Sequence, residues 1–164
     1  MTEKAPASGT LYDDFDRRFA AIHPKLMNIC RSLVGIDAAE DVVHDTYLRG
    51  RSRIHQLRDL ARFDAWLTRI AINLCFTWHR SRRRVTGRPN ADLSTNSVHQ
   101  RDTALRELIE DLPPRDRTLI VLHYGYGYTL AEIGQMLGIS AGNARVAVFR
   151  ARARLGEQLR AAAR

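Results

Sequence analysis

From Leu11 onward, apolar residues return at three- and four-residue steps: Leu11, Phe15, Phe19, Ile22, Leu26, Cys30 and Leu33. That spacing lines one side of a helix and predicts a buried face. Pro24 falls inside the run, and a proline there removes a helix hydrogen bond, so a kink or a break is expected. Asp37 and Glu40 have the spacing of a capping box and predict the start of a second helix through Val43, Tyr47 and Leu48, which Gly50 can end. A loop is expected over residues 51–62. Phe63, Trp66, Leu67, Ile70, Leu74, Cys75 and Trp78 then mark a third helix that runs into the cluster HRSRRR at residues 79–84. Three helices around one core predict a first domain over residues 11–84.

The pattern then stops. Residues 85–102, VTGRPNADLSTNSVHQRD, are rich in Gly, Pro, Asn, Ser and Thr and read as a flexible linker. Helical periodicity resumes with Leu105, Leu108, Ile109 and Leu112, ends at Pro113 and Pro114, and restarts through Leu119, Ile120 and Leu122. The segment YGYGY (124–128) reads as a turn, and Thr129 with Glu132 forms a second capping-box pair. Two more helices follow, joined at LGIS, so a second domain is expected over residues 103–160. No alternation of period two occurs, and the predicted fold class is all-α, with two small helical domains and a helix-turn-helix in the second.

That helix-turn-helix is carried by TLAEIGQMLGISAGNARVAVFRARARL: Ile133 and Leu137 face inward, Gly138 makes the tight turn, Ile139 fills the angle and Ser140 caps the second helix. Ala144, Val148, Ala151 and Leu155 share the inner face, which leaves Asn143, Arg145, Val146, Ala147, Phe149 and Arg150 pointing outward. Such a helix fits the major groove, where Asn and Arg read base edges and apolar groups meet thymine methyls. The alternative is a plain helical hairpin with a solvated basic face.

Charge favours the first reading. The 164 residues carry a formal net charge of +8, and lysines and arginines that neutralise phosphates release counterions. Residues 145–164 alone hold six arginines against Glu157. Arg80, Arg82, Arg83 and Arg84 form a second basic cluster, whose bland alternative is a solubilising helix end. Two basic sites on two tethered domains suit two separated DNA elements. Cys30 and Cys75 fall among apolar residues and read as reduced core thiols. Trp66 and Trp78 share the apolar face and read as core anchors rather than base-stacking platforms. The six histidines, His23, His44, His55, His79, His99 and His123, form no metal or catalytic pattern, so no catalysis, metal or cofactor is expected. No apolar run is long enough for membrane insertion, and the N-terminus has no secretory core; a cytoplasmic location is expected.

Taken together, DAAEDVVHDTYLRG and FDAWLTRIAINLCFTWHRSRRR, followed by LPPRDRTLIVLHYGYGYTLAEIGQMLGIS and FRARARL, resemble regions two and four of the extracytoplasmic-function sigma factors of bacterial RNA polymerase. The likeness runs from about Tyr12 to Leu159. It implies that Asp41, His44, Asp45, Tyr47 and Leu48 contact the β′ clamp helices of the polymerase core, with the β flap as a further contact. It implies that the helix from Trp66 to Arg84, with the loop before it and with Arg69, Asn73, Arg80, Arg82, Arg83 and Arg84, recognises and opens the minus-ten element. The helix from Ser140, with Asn143, Arg145, Phe149 and Arg150, would read the minus-thirty-five element. An anti-sigma factor that occludes the polymerase-binding surfaces is the implied regulator. The chain departs from the pattern at His44, where Gln is frequent, at Arg51, where an aromatic is common, and at Asn143-Ala-Arg-Val-Ala-Val, which replaces Thr-Val-Lys-Ser-Arg-Leu. A one-component helix-turn-helix regulator, or a sigma mimic that titrates an anti-sigma factor, are the alternatives.

Overall fold

The computed structural model describes residues 8–86 and 103–163, and among them it contains helices and no strand. The first group consists of α1 (Ser8–Val34), α2 (Ile36–Arg53) and α3 (Phe63–Thr86). Phe15, Ile22, Leu26, Ile29, Cys30 and Leu33 of α1 pack with Val42 and Val43 of α2 and with Phe63, Leu67, Ala71, Ile72 and Cys75 of α3. Both cysteines are free thiols buried in this core.

Pro24 neither breaks nor divides α1, which is continuous through it. The residue is exposed, so its ring faces solvent rather than the packed face. The Asp37–Glu40 capping box is absent: the N-cap is Gly35, two residues before Asp37, so α2 starts at Ile36 with no side-chain cap. Gly35 is the only residue between α1 and α2, and its φ of 86° and ψ of 172° lie where a side chain is strongly disfavoured. Gly50 does not end α2 either. It is buried mid-helix, where a Cβ would come within 2.6 Å of Leu67 Cδ1, so glycine here serves close packing of α2 on α3. The expected loop contains two short 3₁₀ turns, Ile54–Gln56 and Leu60–Arg62, the second capped by Asp59.

The second group consists of α4 (Thr103–Glu110), α5 (Pro114–Ile120), α6 (Leu130–Leu137) and α7 (Ala141–Ala162). Pro114 sits at the start of α5, where its missing amide costs nothing. Chain continues from α5 into a π-helical turn over Val121–Gly125, so the expected YGYGY turn begins as helix and reverses only afterwards. Thr129 and Glu132 do form the capping box: Thr129 N donates to Glu132 Oε2 at 2.8 Å and Glu132 N donates to Thr129 Oγ1 at 3.2 Å. Leu112, Leu119, Leu122, Ile133, Met136, Ala144, Val148 and Ala151 form the core. Apart from residues 85 and 86, the expected linker lies outside the described residues, and α3 extends to Thr86.

The two groups pack on each other, α3 against α5 and α6, and α1 against α5 and the π-turn. Arg117 of α5 is fully buried at this junction. Its guanidinium donates to the carbonyls of Glu110 and Leu112 at the end of α4, and across the junction to Leu33 O at 3.1 Å. His79 Nε2 shares that same Leu33 carbonyl at 2.8 Å.

Candidate nucleic-acid and polymerase interfaces

On α2 the buried residues Ala39, Val42, Val43 and Thr46 face the core, and the helical period therefore turns Asp41, His44, Asp45 and Leu48 outward. All four are exposed, Leu48 by 51%, so the strip carries two carboxylates, an imidazole and an unpacked leucine. Tyr47 differs. It is half-buried between Phe15 and Phe19, at ring-centroid separations of 5.7 and 5.0 Å, and its hydroxyl donates to Asp16 Oδ1 at 2.9 Å. Bonding to that carboxylate holds the phenol above its ordinary pKa. Tyr47 thus joins α2 to α1 and presents only part of its ring beside the exposed strip. Arg51 is also tied to α1, its guanidinium 4.5 Å from the Tyr12 ring centre and its Nε 3.5 Å from Asp16 Oδ1.

Along α3, Arg69, Asn73, Thr77, Arg80 and Arg84 are exposed. Arg80 donates to Thr77 Oγ1 at 3.3 Å. Arg82 is half-buried, with its guanidinium 5.1 Å from the centre of the Trp78 ring. Arg83 belongs to the same helix, with its side chain outside the described residues. The basic end of α3 is therefore not uniform: Arg80 and Arg84 are exposed, whereas Arg82 lies on an aromatic face. Trp66 and Trp78 are each half-buried and packed against the core, Trp66 tilted against Phe63 and Trp78 edge-on to His79.

In the helix-turn-helix, Gly138 takes a left-handed conformation (φ 68°) after α6, and Ser140 Oγ accepts from Asn143 N at 3.1 Å to open α7. Ala144, Val148 and Ala151 are buried, so Gly142, Val146, Phe149 and Ala153 run along the opposite side. Asn143, Arg145 and Arg150 flank that line and are exposed. Phe149 is 71% exposed and Val146 48%, an apolar stripe set among basic residues. Ala147, expected to point away from the core, is half-buried. Arg154 turns back to pair with Asp116 of α5, which leaves Arg145, Arg150 and Arg152 as the outward arginines of its middle turns.

Among the described residues no group of three or more His, Cys, Asp or Glu side chains could hold a metal ion, and no helix is long and apolar enough to cross a membrane. Arg117, Tyr128 and Thr68 were not singled out by periodicity. An arginine within LPPRDR looks like part of the basic surface, and nothing in spacing alone tells a buried guanidinium from an exposed one.

Residues 19–85 match the family model described as Sigma-70 region 2, and residues 102–155 match that of Sigma-70, region 4. The chain is 30% identical over 154 residues to the ECF RNA polymerase sigma factor SigM of Mycobacterium tuberculosis, covering 88% of this chain and 76% of that one. The chain belongs to the extracytoplasmic-function sigma factors. A further relative, the probable RNA polymerase sigma factor RfaY of Xanthomonas campestris pv. campestris, is 30% identical over 138 residues; the match covers 76% of this chain and spans 34% of that longer protein. The sigma factor's fold is similar to that of RpoE from Bartonella quintana, solved in complex with the anti-sigma factor NepR, with a TM-score of 0.75, 26% identity and coverage of 90% of this chain and 97% of that one. The first helical group thus corresponds to region 2 and the second to region 4.

Proposed function

We propose that this sigma factor directs RNA polymerase core to promoters and takes part in initiation without catalysing a reaction itself, residues 11–84 serving as the region 2 domain, 85–102 as the tether and 103–160 as the region 4 domain. The exposed strip Asp41, His44, Asp45 and Leu48, with the accessible edge of Tyr47, meets the β′ clamp helices, and region 4 meets the β flap. Arg69, Asn73, Arg80, Arg82, Arg83 and Arg84 of α3 engage the minus-ten element. Ser140, Asn143, Arg145, Phe149 and Arg150 engage the minus-thirty-five element, Ser140 chiefly by capping the helix that presents the others.

The observation that carries this reading is the presence of both regions, in order, on one chain whose two DNA-facing helices keep exposed arginines. A chain that had lost promoter binding would have no need of either basic face. The RpoE relative was solved with an anti-sigma factor, which supports a protein antagonist of the same kind here. The placement is cytoplasmic, where polymerase and promoters are. Reconstitution tests the proposal: purified core polymerase with this chain should initiate on promoters that core alone ignores. Transcript sequencing should return a shared two-part motif. A chain that fails to bind core, or that binds DNA only as a free dimer, would instead be a one-component regulator.

A further inference from the structure

The outer surface of α7 is divided lengthwise by chemistry. Gly142, Val146, Phe149 and Ala153, opposite the buried face, are all exposed and none has a polar side chain. At about 3.6 residues per turn, Asn143 and Arg150 run along one flank of that line and Arg145 and Arg152 along the other, all four exposed. The result is an apolar centre with a basic border on both sides. Arginines on both flanks suit the phosphates on either side of a groove, so the occupant that charge favours is duplex DNA. The apolar centre then lies over base edges. Val146 stands where the family pattern has a serine, so a hydrogen-bonding group has been exchanged for an apolar one at that centre.

What such a centre can select follows from the edges it meets. In the major groove guanine, adenine and cytosine present hydrogen-bonding atoms, and only thymine adds an apolar group, its C5 methyl. A valine or phenylalanine over a cytosine amino group displaces water from it and offers no bond in return, which leaves a polar group unsatisfied. Over a thymine methyl the same side chains bury apolar surface at no such cost. Val146 is 48% exposed and Phe149 71%, so both have surface left to cover. Three residues separate them by about 4.5 Å along the helix at about 1.5 Å per residue, against roughly 3.4 Å between base pairs. They therefore meet neighbouring pairs rather than the same one.

We infer that Val146 and Phe149 are specificity-determining residues that read the C5 methyls of two adjacent thymines in the minus-thirty-five element, and that G·C pairs are rejected at those two positions. This rests on the assignment of α7 to that element and adds which bases the helix selects there and by which group. Asn143 and Arg145, on the two flanks, keep the hydrogen-bonding positions.

The test uses holoenzyme on a promoter recovered by transcript sequencing, with its minus-thirty-five element randomised. Selection for binding should return an element that contains two adjacent T·A pairs. Deoxyuridine, which lacks only the methyl, is then placed at each of the two thymines in turn, and each replacement should weaken binding about fourfold, the worth of one buried methyl-sized group. With Val146→Ala one of the two replacements should become silent, and with Phe149→Ala the other, because the partner of each methyl is gone. At the same positions 5-methylcytosine should bind more tightly than cytosine. Melting of the free variants should match wild type, since both residues are exposed. Deoxyuridine that binds as well as thymidine at both positions overturns the inference, as does a selected element without adjacent T·A pairs whose preference depends on Asn143 and Arg145; in either case α7 remains the reading helix. If Val146→Ala weakens binding equally on thymidine and deoxyuridine promoters, that side chain meets something other than a methyl and the inference fails. An element that can be randomised with no effect on binding removes the assignment of α7 itself, and this inference with it.

Discussion

Phe149 offers the sharpest test of the reading helix, because an aromatic ring that is 71% exposed has no evident use in the isolated chain. A phenylalanine that is fully covered buries about 150–250 Å². With 71% of its surface already exposed, roughly 110–180 Å² remains to be covered by a partner, worth roughly 3–4.5 kcal/mol at about 25 cal/mol/Å². A ring lying against thymine methyls along a groove is covered on about one side, so Phe149→Ala should weaken promoter binding by about 1.5–2 kcal/mol, or roughly 10- to 30-fold. Folding should hardly notice, since a substitution at so exposed a site falls within about 0.5 kcal/mol. Phe149→Leu should keep most of the affinity. The assay is fluorescence anisotropy of holoenzyme on a promoter library, alongside thermal melting of the free chain. Asn143→Ala and Arg145→Ala, measured in the same library, should change base preference at the minus-thirty-five element, each at a cost of about 1–3 kcal/mol. An unchanged affinity for Phe149→Ala on every promoter would refute contact between this ring and DNA, and uniform loss for Asn143→Ala and Arg145→Ala would make α7 a phosphate clamp.

Reversing both exposed acids of α2, Asp41→Lys with Asp45→Lys, should reduce affinity for core by about tenfold or more while leaving the helical circular dichroism spectrum intact; a titration of labelled core reads this, and wild-type affinity would move the interface elsewhere. At the end of α3, alanine at Arg80 and Arg84 should each lower the salt slope of promoter binding by about one unit, whereas Arg82→Ala should lower it less because its guanidinium lies over Trp78; equal slopes for all three would contradict that difference. Burial, followed by the charges of Arg117 and Arg82, holds His79 below its ordinary pKa of 6.5, against the pull of its bond to Leu33. The unfolded chain then takes up the proton first, so stability is full above pH 6.5 and declines as pH falls through that value toward the folded one. Melting temperature followed from pH 8 downward should show this decline and lose it in His79→Gln. The depressed carboxyls of Glu132 and Asp14 act only below 4.5 and 3.8, so their losses come later in the same titration.

Much of the architecture was legible in the chain because buried faces and capping residues are local signals. The Leu11 to Leu33 run, the Thr129–Glu132 box and the Gly138–Ser140 turn each appear where spacing placed them. The errors arise where solvent exposure, backbone conformation or tertiary packing overrode a local preference. Pro24 is accommodated because it faces solvent, and Gly50 continues a helix because Leu67 and Phe15 need the space. Asp37 and Glu40 have capping-box spacing, yet the helix begins two residues sooner because Gly35 can adopt a conformation closed to either acid. For the candidate sites, exposure of Asp41, His44, Asp45, Leu48, Asn143, Arg145, Phe149 and Arg150 follows directly from helical period. The divided role of Tyr47 and the burial of Arg117 do not, since each depends on a neighbour distant in sequence, whereas Arg82 over Trp78 is a four-residue pair that the helical period could have shown.

The joint at Gly35 couples two surfaces mechanically. With one residue between them, α1 and α2 have no slack, and α1, about 40 Å long at 1.5 Å per residue, is fastened to α2 both at this joint and, through Tyr47 and Arg51, near its own N-terminal half. The α2 strip lies beyond that joint, while on α1 Leu33 stands beside it and Lys25 further back, and both touch region 4. A tilt of α2 when something grips it must therefore be felt by Lys25 and Leu33, without any side chain acting as messenger. Lengthening the joint by inserting glycines after Gly35 would leave both surfaces chemically unchanged while loosening their coupling at that end.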